Sequence, residues 1–500
     1  MPVGPTRVLF LIGAATNWFA FAATLAVSFF LTPYLISALG RPQYDVWCVV
    51  ESVLAYFTLL DLGVAACLVR TIAGHTSTPD AERVNRVSTC CLAVLIAAGA
   101  VAFALGAPVL WLLGEKLEAR AGDPGDVLPF MLLMLLNLAL TLPLSTFPCI
   151  LDGLQRFTAK SIIRLVALAI RTVGFLIVVD QWHSLLPLAV VSLVANLLEH
   201  AAMALYSFRT LPELHLRLRY IDRETLRTVR TSSTDAFLAL LAGRITVQTG
   251  AIVIGLVLPA GQVTYFATAG RLVEYAKALL RTITVTLMPG VAAMDARGDA
   301  PGIRNLYLKA TRWLLYFVIP VQIGLLQFGA PFLKRWVGDD FVPGAYPTLV
   351  ILSFTLTIGV AQSVASRLLY GLGRLRWFAR AALCEAALNL LLMLALIRSN
   401  GVEGVAVAVA VPNVLFCLFV LEYTRRQLGV SAGDYAKTWS IPLIFSALPA
   451  AIWLAMGEPE AYWPEIVSGV LAGLVPYAVV VGLWEGRAFT AIRARLSSSR

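Results

Sequence analysis

The sequence predicts an all-α polytopic membrane protein of about fourteen transmembrane helices: two six-helix bundles related by a parallel internal repeat, then two C-terminal helices. Three observations predict it. Of 500 residues, 59% are hydrophobic and 14% charged, with mean hydropathy +0.81, whereas a soluble domain carries roughly a quarter charged residues. Apolar stretches of about 20 residues, the length that crosses a bilayer core, recur from Val8 to Leu483. Lys and Arg, finally, collect in alternate connections.

The apolar stretches place helices at about 8–38, 44–70, 88–113, 127–151, 161–179, 184–208, 233–258, 262–292, 307–333, 346–371, 377–397, 402–427, 439–456 and 462–485. The first follows Met1–Arg7 directly and is too long for a signal-peptide core, so it reads as an uncleaved helix. With the N-terminus in the cytoplasm, 27 of the 39 Lys and Arg lie in cytoplasmic connections or termini and six, Arg41, Lys116, Arg120, Lys334, Arg335 and Arg398, lie outside. That asymmetry satisfies the positive-inside rule and puts both termini in the cytoplasm. It also accounts for the net charge of +10 without a nucleic-acid partner.

No cofactor is called for. The seven cysteines (Cys48, Cys67, Cys90, Cys91, Cys149, Cys384, Cys417) sit in apolar segments without CxxC spacing and read as small core residues. The four histidines form no HExxH-like ligand pair, and no GxxxxGK[ST] phosphate loop is present.

Two short matches reveal the repeat. LGRPQYDVW (39–47) pairs with LPAGQVTYF (258–266) at an offset of 219, and ILDGLQR (150–156) pairs with LLYGLGR (368–374) at 218. Six spans per repeat is an even number, so both halves have the same orientation. The expected organisation is bundle 1–208, basic cytoplasmic linker 209–232, bundle 233–427, extra helices 428–485 and basic tail 486–500.

The stretch NWFAFAATLAVSFFLTPYLISALGRPQYDVW, followed by LLDLGVAACLVR (59–70), resembles the opening of Wzx-type polysaccharide flippases. These belong to the multidrug/oligosaccharidyl-lipid/polysaccharide exporter superfamily. The LLDLG segment there follows an LG…YG.W turn; here Asp45 replaces the usual Gly. APFLKRWVGDDFVPG (330–344) is similar to that family's loop between its ninth and tenth helices. The resemblance implies two bundles around a central cavity in the bacterial cytoplasmic (inner) membrane. It implies translocation of an isoprenoid pyrophosphate-linked oligosaccharide, alongside a polysaccharide polymerase and glycosyltransferases of the same pathway.

The remaining six basic residues fall deeper inside helices: Arg171, Arg244, Arg271, Lys277, Arg281 and Arg367. In GRLVEYAKALLR (270–281), Arg271, Glu274, Lys277 and Arg281 share a stripe about 120° wide. Each such charge costs about 2.5–3.5 kcal/mol at a helix centre in lipid, so the stripe must face protein or water. Glu274 can pair with Arg271 and Lys277, leaving a net charge of about +2. Arg suits a phosphate because its planar fork donates two hydrogen bonds and keeps its charge. Arg171, Arg244, Arg271, Lys277 and Arg281 are therefore candidates to bind a pyrophosphate headgroup, with snorkelling or structural salt bridges as the alternative.

Asn17, Thr24 and Ser28 form a polar stripe on the first helix, as Asn137 and Thr141 do on the fourth; both suit interhelical hydrogen bonding, and Asn17 is also a ligand candidate. Asp61, Glu274 and Glu385 are candidates for proton or cation coupling, or for structural pairing with a buried Arg.

Three rival functions stay open. A lipid II-type flippase shares fourteen helices and a cationic cavity. A drug/cation antiporter of the same superfamily calls for twelve helices and acidic residues. A membrane glycosyltransferase or polymerase needs a large external loop, and the largest here is about 113–127, so no enzyme is expected.

Overall fold

The protein, described by a computed structural model, is defined over residues 5–61, 64–75, 80–121, 125–230, 234–284, 287–373, 376–457 and 461–498. Within these residues lie α1 (Pro5–Phe57), α2 (Val64–His75), α3 (Ala81–Ala121), α4 (Val127–Leu144), α5 (Thr146–Gly153), α6 (Phe157–Trp182), α7 (Leu185–Thr210) and α8 (Arg223–Arg230). They continue with α9 (Thr234–Val257), α10 (Gln262–Thr284), α11 (Leu287–Asp295), α12 (Ala300–Val337), α13 (Val342–Gly371), α14 (Arg376–Gln427), α15 (Ala432–Met456) and α16 (Trp463–Ser498). The described residues contain no strand. Leu62 and Gly63 of LLDLG, Arg374 of LLYGLGR, linker positions 231–232 and Arg500 of the tail lie outside the described residues.

Among the described residues, eleven helices are long and apolar enough to cross a membrane, two of them 47 and 51 residues long. Each of those two is broken by a glycine: Gly40 in α1 (φ 76°, ψ 161°) and Gly401 in α14 (φ 56°, ψ −134°). A side chain strains a backbone with such positive φ, so each long helix divides at a residue without one. The expected total of fourteen spans depends on both divisions and on counting α10, which its four charges keep out of the apolar set. Gly401→Val is expected to destabilise the chain by about 1–3 kcal/mol, read as a lower thermal midpoint in detergent.

Two expected helices are interrupted. The segment expected at 44–70 passes through a 3₁₀ turn at Thr58–Asp61 before α2. The one expected at 127–151 breaks at Ser145 between α4 and α5, where Pro148 offers no N–H to the Leu144 carbonyl. Of the one expected at 262–292, α10 and α11 are described, and residues 285–286 lie outside the described residues. By contrast, Pro320 sits within a continuous helix, and Pro33 and Pro412 within unbroken halves of α1 and α14.

The chain divides into two compact units: Met1–Arg244 with Ala251–Thr264, and Ile245–Gly250 with Tyr265–Arg500. In the first, α3 packs on α4, α1 on α6, and α7 on α4 and α6. Its core includes Leu68, Ile72, Cys91, Leu95, Ile150 and Leu151. The linker is docked rather than loose: Asn85 of α3 donates to the Glu213 carbonyl (2.9 Å) and accepts from the His215 N–H (2.8 Å). Asp222 caps α8, accepting from the Thr225 N–H at 2.7 Å. Hydrogen bonds from the Thr225 hydroxyl and N–H hold the Asp222 carboxyl below its usual range.

In the second unit, α13 packs against α12 and α14 around Tyr307, Leu315, Leu356, Val360, Val364 and Leu368. The two C-terminal spans dock on α12: Tyr477 donates to the Tyr316 carbonyl (2.7 Å), and Tyr316 to Glu485 (3.0 Å), which also meets Arg312 at 3.5 Å. Large side chains such as Leu105, Trp111, Ile177, Leu391 and Leu394 stay exposed, as expected of helices bathed in acyl chains.

Candidate functional site

Helix α10 carries the densest group of charges inside a span. Its register puts Glu274 one turn from Lys277 and two turns from Arg281, so a single carboxylate serves both cations. Lys277 Nζ lies 3.5 Å from Glu274 Oε1, and Arg281 Nη2 lies 2.7 Å from Glu274 Oε2. Lys277 also donates to the Thr355 hydroxyl of α13 at 2.9 Å. Only 17% of the Lys277 side chain is exposed, against 47% for Arg281. Arg271, one turn before Glu274, is half-buried.

A second polar group lies across the two halves of α14. Asn413 donates to Glu385 Oε1 at 2.7 Å, and Glu385 is only 8% exposed. Asn389, one turn beyond Glu385 on the same face, is fully buried, and neither its amide nitrogen nor its oxygen has a partner. A buried amide left with both donor and acceptor open is costly unless water or an ion satisfies it.

The first unit has its own polar belt. Asn196 of α7 donates to Asn137 Oδ1 and to Thr141 Oγ1 of α4, both at 2.7 Å. The Asn137/Thr141 stripe is thus an interhelical contact. Three residues on, Glu199 faces Arg171 of α6, with Nη2 and Oε2 4.0 Å apart. Arg171 Nε is buried without a hydrogen-bond partner. Arg244 is half-buried. Asn17 is exposed on α1. Asp61, at the end of the 3₁₀ turn before α2, accepts from the Ala65 N–H, while its Oδ1 is buried without a partner.

The structure thus joins Glu274 with Lys277 and Arg281 on one helix, and leaves Asn17 and Asp61 outside that group. It brings in residues that sequence reasoning passed over: Glu199, Thr355, Asn389 and Asn413. Glu199 was findable as a lone carboxylate in the apolar run LVANLLEHAAM. Thr355, 78 residues from Lys277, carried no local signal.

Fold and hydropathy together define a multi-pass membrane protein with no strand among its described residues. Among solved structures, an inward-facing multidrug resistance MATE family transporter of the MOP superfamily has TM-score 0.68 and 14% identity, over 84% of this chain and 98% of its own. The lipid II flippase MurJ, inward closed, also gives TM-score 0.68 and 14% identity, over 93% and 100% of the two chains. At that identity the likeness concerns the fold. The family described as Polysaccharide biosynthesis protein matches residues 14–294, and the chain belongs to it. The probable low-salt glycan biosynthesis flippase Agl15 of Haloferax volcanii is 24% identical over 237 residues, 47% of this chain. The alignment spans about half of that relative's length (49%).

Proposed function

We propose that the protein is a flippase that carries an isoprenoid (undecaprenyl) pyrophosphate-linked oligosaccharide from the cytoplasmic to the outer leaflet of a bacterial cytoplasmic membrane. Arg171, Arg244, Arg271, Lys277 and Arg281 bind the diphosphate, and Asn17 is a further ligand on α1. The observation that carries the reading is the imbalance on α10. One carboxylate, Glu274, is shared by Lys277 and Arg281 within ion-pairing distance, so these three side chains sum to +1. A positive excess held within a helix of spanning length matches a dianionic headgroup. The same excess disfavours the cationic drug of an antiporter. A lipid II-type substrate presents the same diphosphate.

The headgroup cannot cross about 30 Å of hydrocarbon unaided, because its charges and hydroxyls lose their hydration. Alternating access lets it move among fixed cations while the isoprenoid tail remains in lipid. An inside-negative potential favours outward movement of the anion by about 2.3 kcal/mol per charge per 100 mV. Among the coupling candidates Glu274 is committed to two cations, whereas the Asp61 Oδ1 is buried without a hydrogen-bond partner and Glu385 lies one turn from the unpartnered amide of Asn389. Both remain available to a proton or cation. A polymerase and glycosyltransferases supply and consume the glycan.

Arg271→Gln is expected to lower translocation of a fluorescent diphosphate-linked oligosaccharide in proteoliposomes about tenfold, the loss of one charge-assisted contact. Arg244→Gln is expected to do the same. Unchanged translocation by both variants, at equal protein incorporation, overturns the headgroup assignment.

A further inference from the structure

A groove lies between the two halves of α14. These halves run antiparallel on either side of Gly401, and Trp377, Arg380, Ala381, Cys384 and Leu388 of the first half face Pro412, Leu415, Phe416 and Phe419 of the second. The groove encloses about 370 Å³. The small side chains of Ala381 and Cys384 leave room on one wall. Trp377, Cys384, Leu388, Leu415 and Phe419 are exposed, and α14 is long and apolar enough to cross a membrane. The groove therefore opens toward acyl chains.

One end is charged. Arg380, in the second turn of α14, stacks its guanidinium 5.4 Å above the Trp377 ring. It is exposed and has no carboxylate within ion-pairing distance among the described residues. Toward the other end lie Leu388 and Pro412. An apolar trough with a single cation at one mouth matches a chain joined to an anionic head.

We propose that the groove is a binding site for one anionic phospholipid of the surrounding bilayer, with an acyl chain along the trough and its phosphate on Arg380. At about 30 Å³ per water-sized group, the groove holds roughly a dozen such groups, the scale of one acyl chain rather than a longer isoprenoid. Arg suits the head because it forks two hydrogen bonds onto a phosphate, and Trp377 suits the interfacial depth at which that head sits. Glu385 lies at the back of the groove, so a seated chain covers the carboxylate from the membrane side.

Native mass spectrometry of the full chain tests the assignment, with phosphatidylglycerol, phosphatidylcholine and polyprenyl phosphate titrated separately into detergent-purified protein. Phosphatidylglycerol is expected to remain bound at least fivefold more than phosphatidylcholine. Arg380→Gln is expected to abolish that preference, and Arg380→Lys to keep part of it. Leu388→Trp, which fills the trough, is expected to cut retention of both phospholipids at least fivefold, whereas Leu391→Trp, outside the groove, leaves retention unchanged. Matched thermal midpoints show that each variant is folded. Equal retention of the two phospholipids, retention indifferent to both Arg380→Gln and Leu388→Trp, or preferential retention of polyprenyl phosphate overturns the proposal.

Discussion

Lys277→Glu is expected to reduce translocation of a diphosphate-linked oligosaccharide by about 100-fold or more, with the protein still inserted in the membrane at normal levels. The substitution takes the group of Glu274, residue 277 and Arg281 from +1 to −1 and removes the ammonium from both Glu274 and the Thr355 hydroxyl. One charge-assisted hydrogen bond to an anion is worth about 1.5–3 kcal/mol, and the new carboxylate adds repulsion to the loss. Lys277→Arg keeps the charge and is expected to retain most activity. Arg281→Gln should have a smaller effect than Lys277→Glu, because nearly half of the Arg281 side chain is already exposed and screened. Translocation assayed in proteoliposomes gives the ranking, and thermal midpoints separate loss of binding from loss of fold. If Lys277→Glu transports at the rate of the parent chain, the cationic stripe is structural and the headgroup reading fails.

Much of the helical scaffold was legible because lipid simplifies the code. A span must satisfy its own backbone and present apolar side chains throughout, so hydropathy alone locates it. The expected span 184–208 corresponds to α7, Leu185–Thr210, and 161–179 to α6, Phe157–Trp182. The ends were less legible. Helix α3 runs from Ala81 to Ala121, well past the apolar stretch 88–113. Its flanks, AERVNRV and GEKLEARA, are polar but rich in strong helix formers, so the helix continues where the hydropathy signal stops. The 3₁₀ turn at Thr58–Asp61 and the break at Ser145 escaped notice because apolar residues on either side keep the hydropathy signal continuous.

The charges divide along the same line. The α10 stripe could be read from one helix, since its members lie three and four residues apart. Pairings between helices could not. Arg171 and Glu199 stand on different helices, and Glu385 finds Asn413 only because the chain turns back at Gly401. The unsatisfied amide of Asn389 is a property of packing, and no pattern in LCEAALNLLLM announces which polar atoms will lack partners.

Asp45 had the least visible role, and it supports the largest stability prediction. In the sequence it is a departure from a family turn, Asp where Gly is usual. In the structure it is 6% exposed, and its carboxylate accepts from the N–H groups of Gly261 (2.6 Å), Val263 (3.2 Å) and Thr264 (2.7 Å) and from the Thr264 hydroxyl (2.5 Å). These groups surround the start of α10, whose first amides have no partner within the helix and carry the positive end of its dipole. Asp45 therefore acts as a cap supplied from more than 200 residues away. It also joins the two repeated turns, since Asp45 and Thr264 occupy equivalent positions at the 219-residue offset. Asp45→Ala leaves several buried donors unpaired and is expected to cost about 2–4 kcal/mol. Thr264→Val removes only the hydroxyl and is expected to cost about 1 kcal/mol. Asp45→Asn keeps one acceptor but turns an amide donor toward other donors, so it should fall between the two. Thermal denaturation of the purified chain, followed by tryptophan fluorescence, is expected to give midpoints in the order parent, Thr264→Val, Asp45→Asn, Asp45→Ala. A midpoint for Asp45→Ala equal to the parent's would mean that water replaces the carboxylate at the head of α10, and the cap would then contribute nothing to holding the helix that bears the cationic stripe.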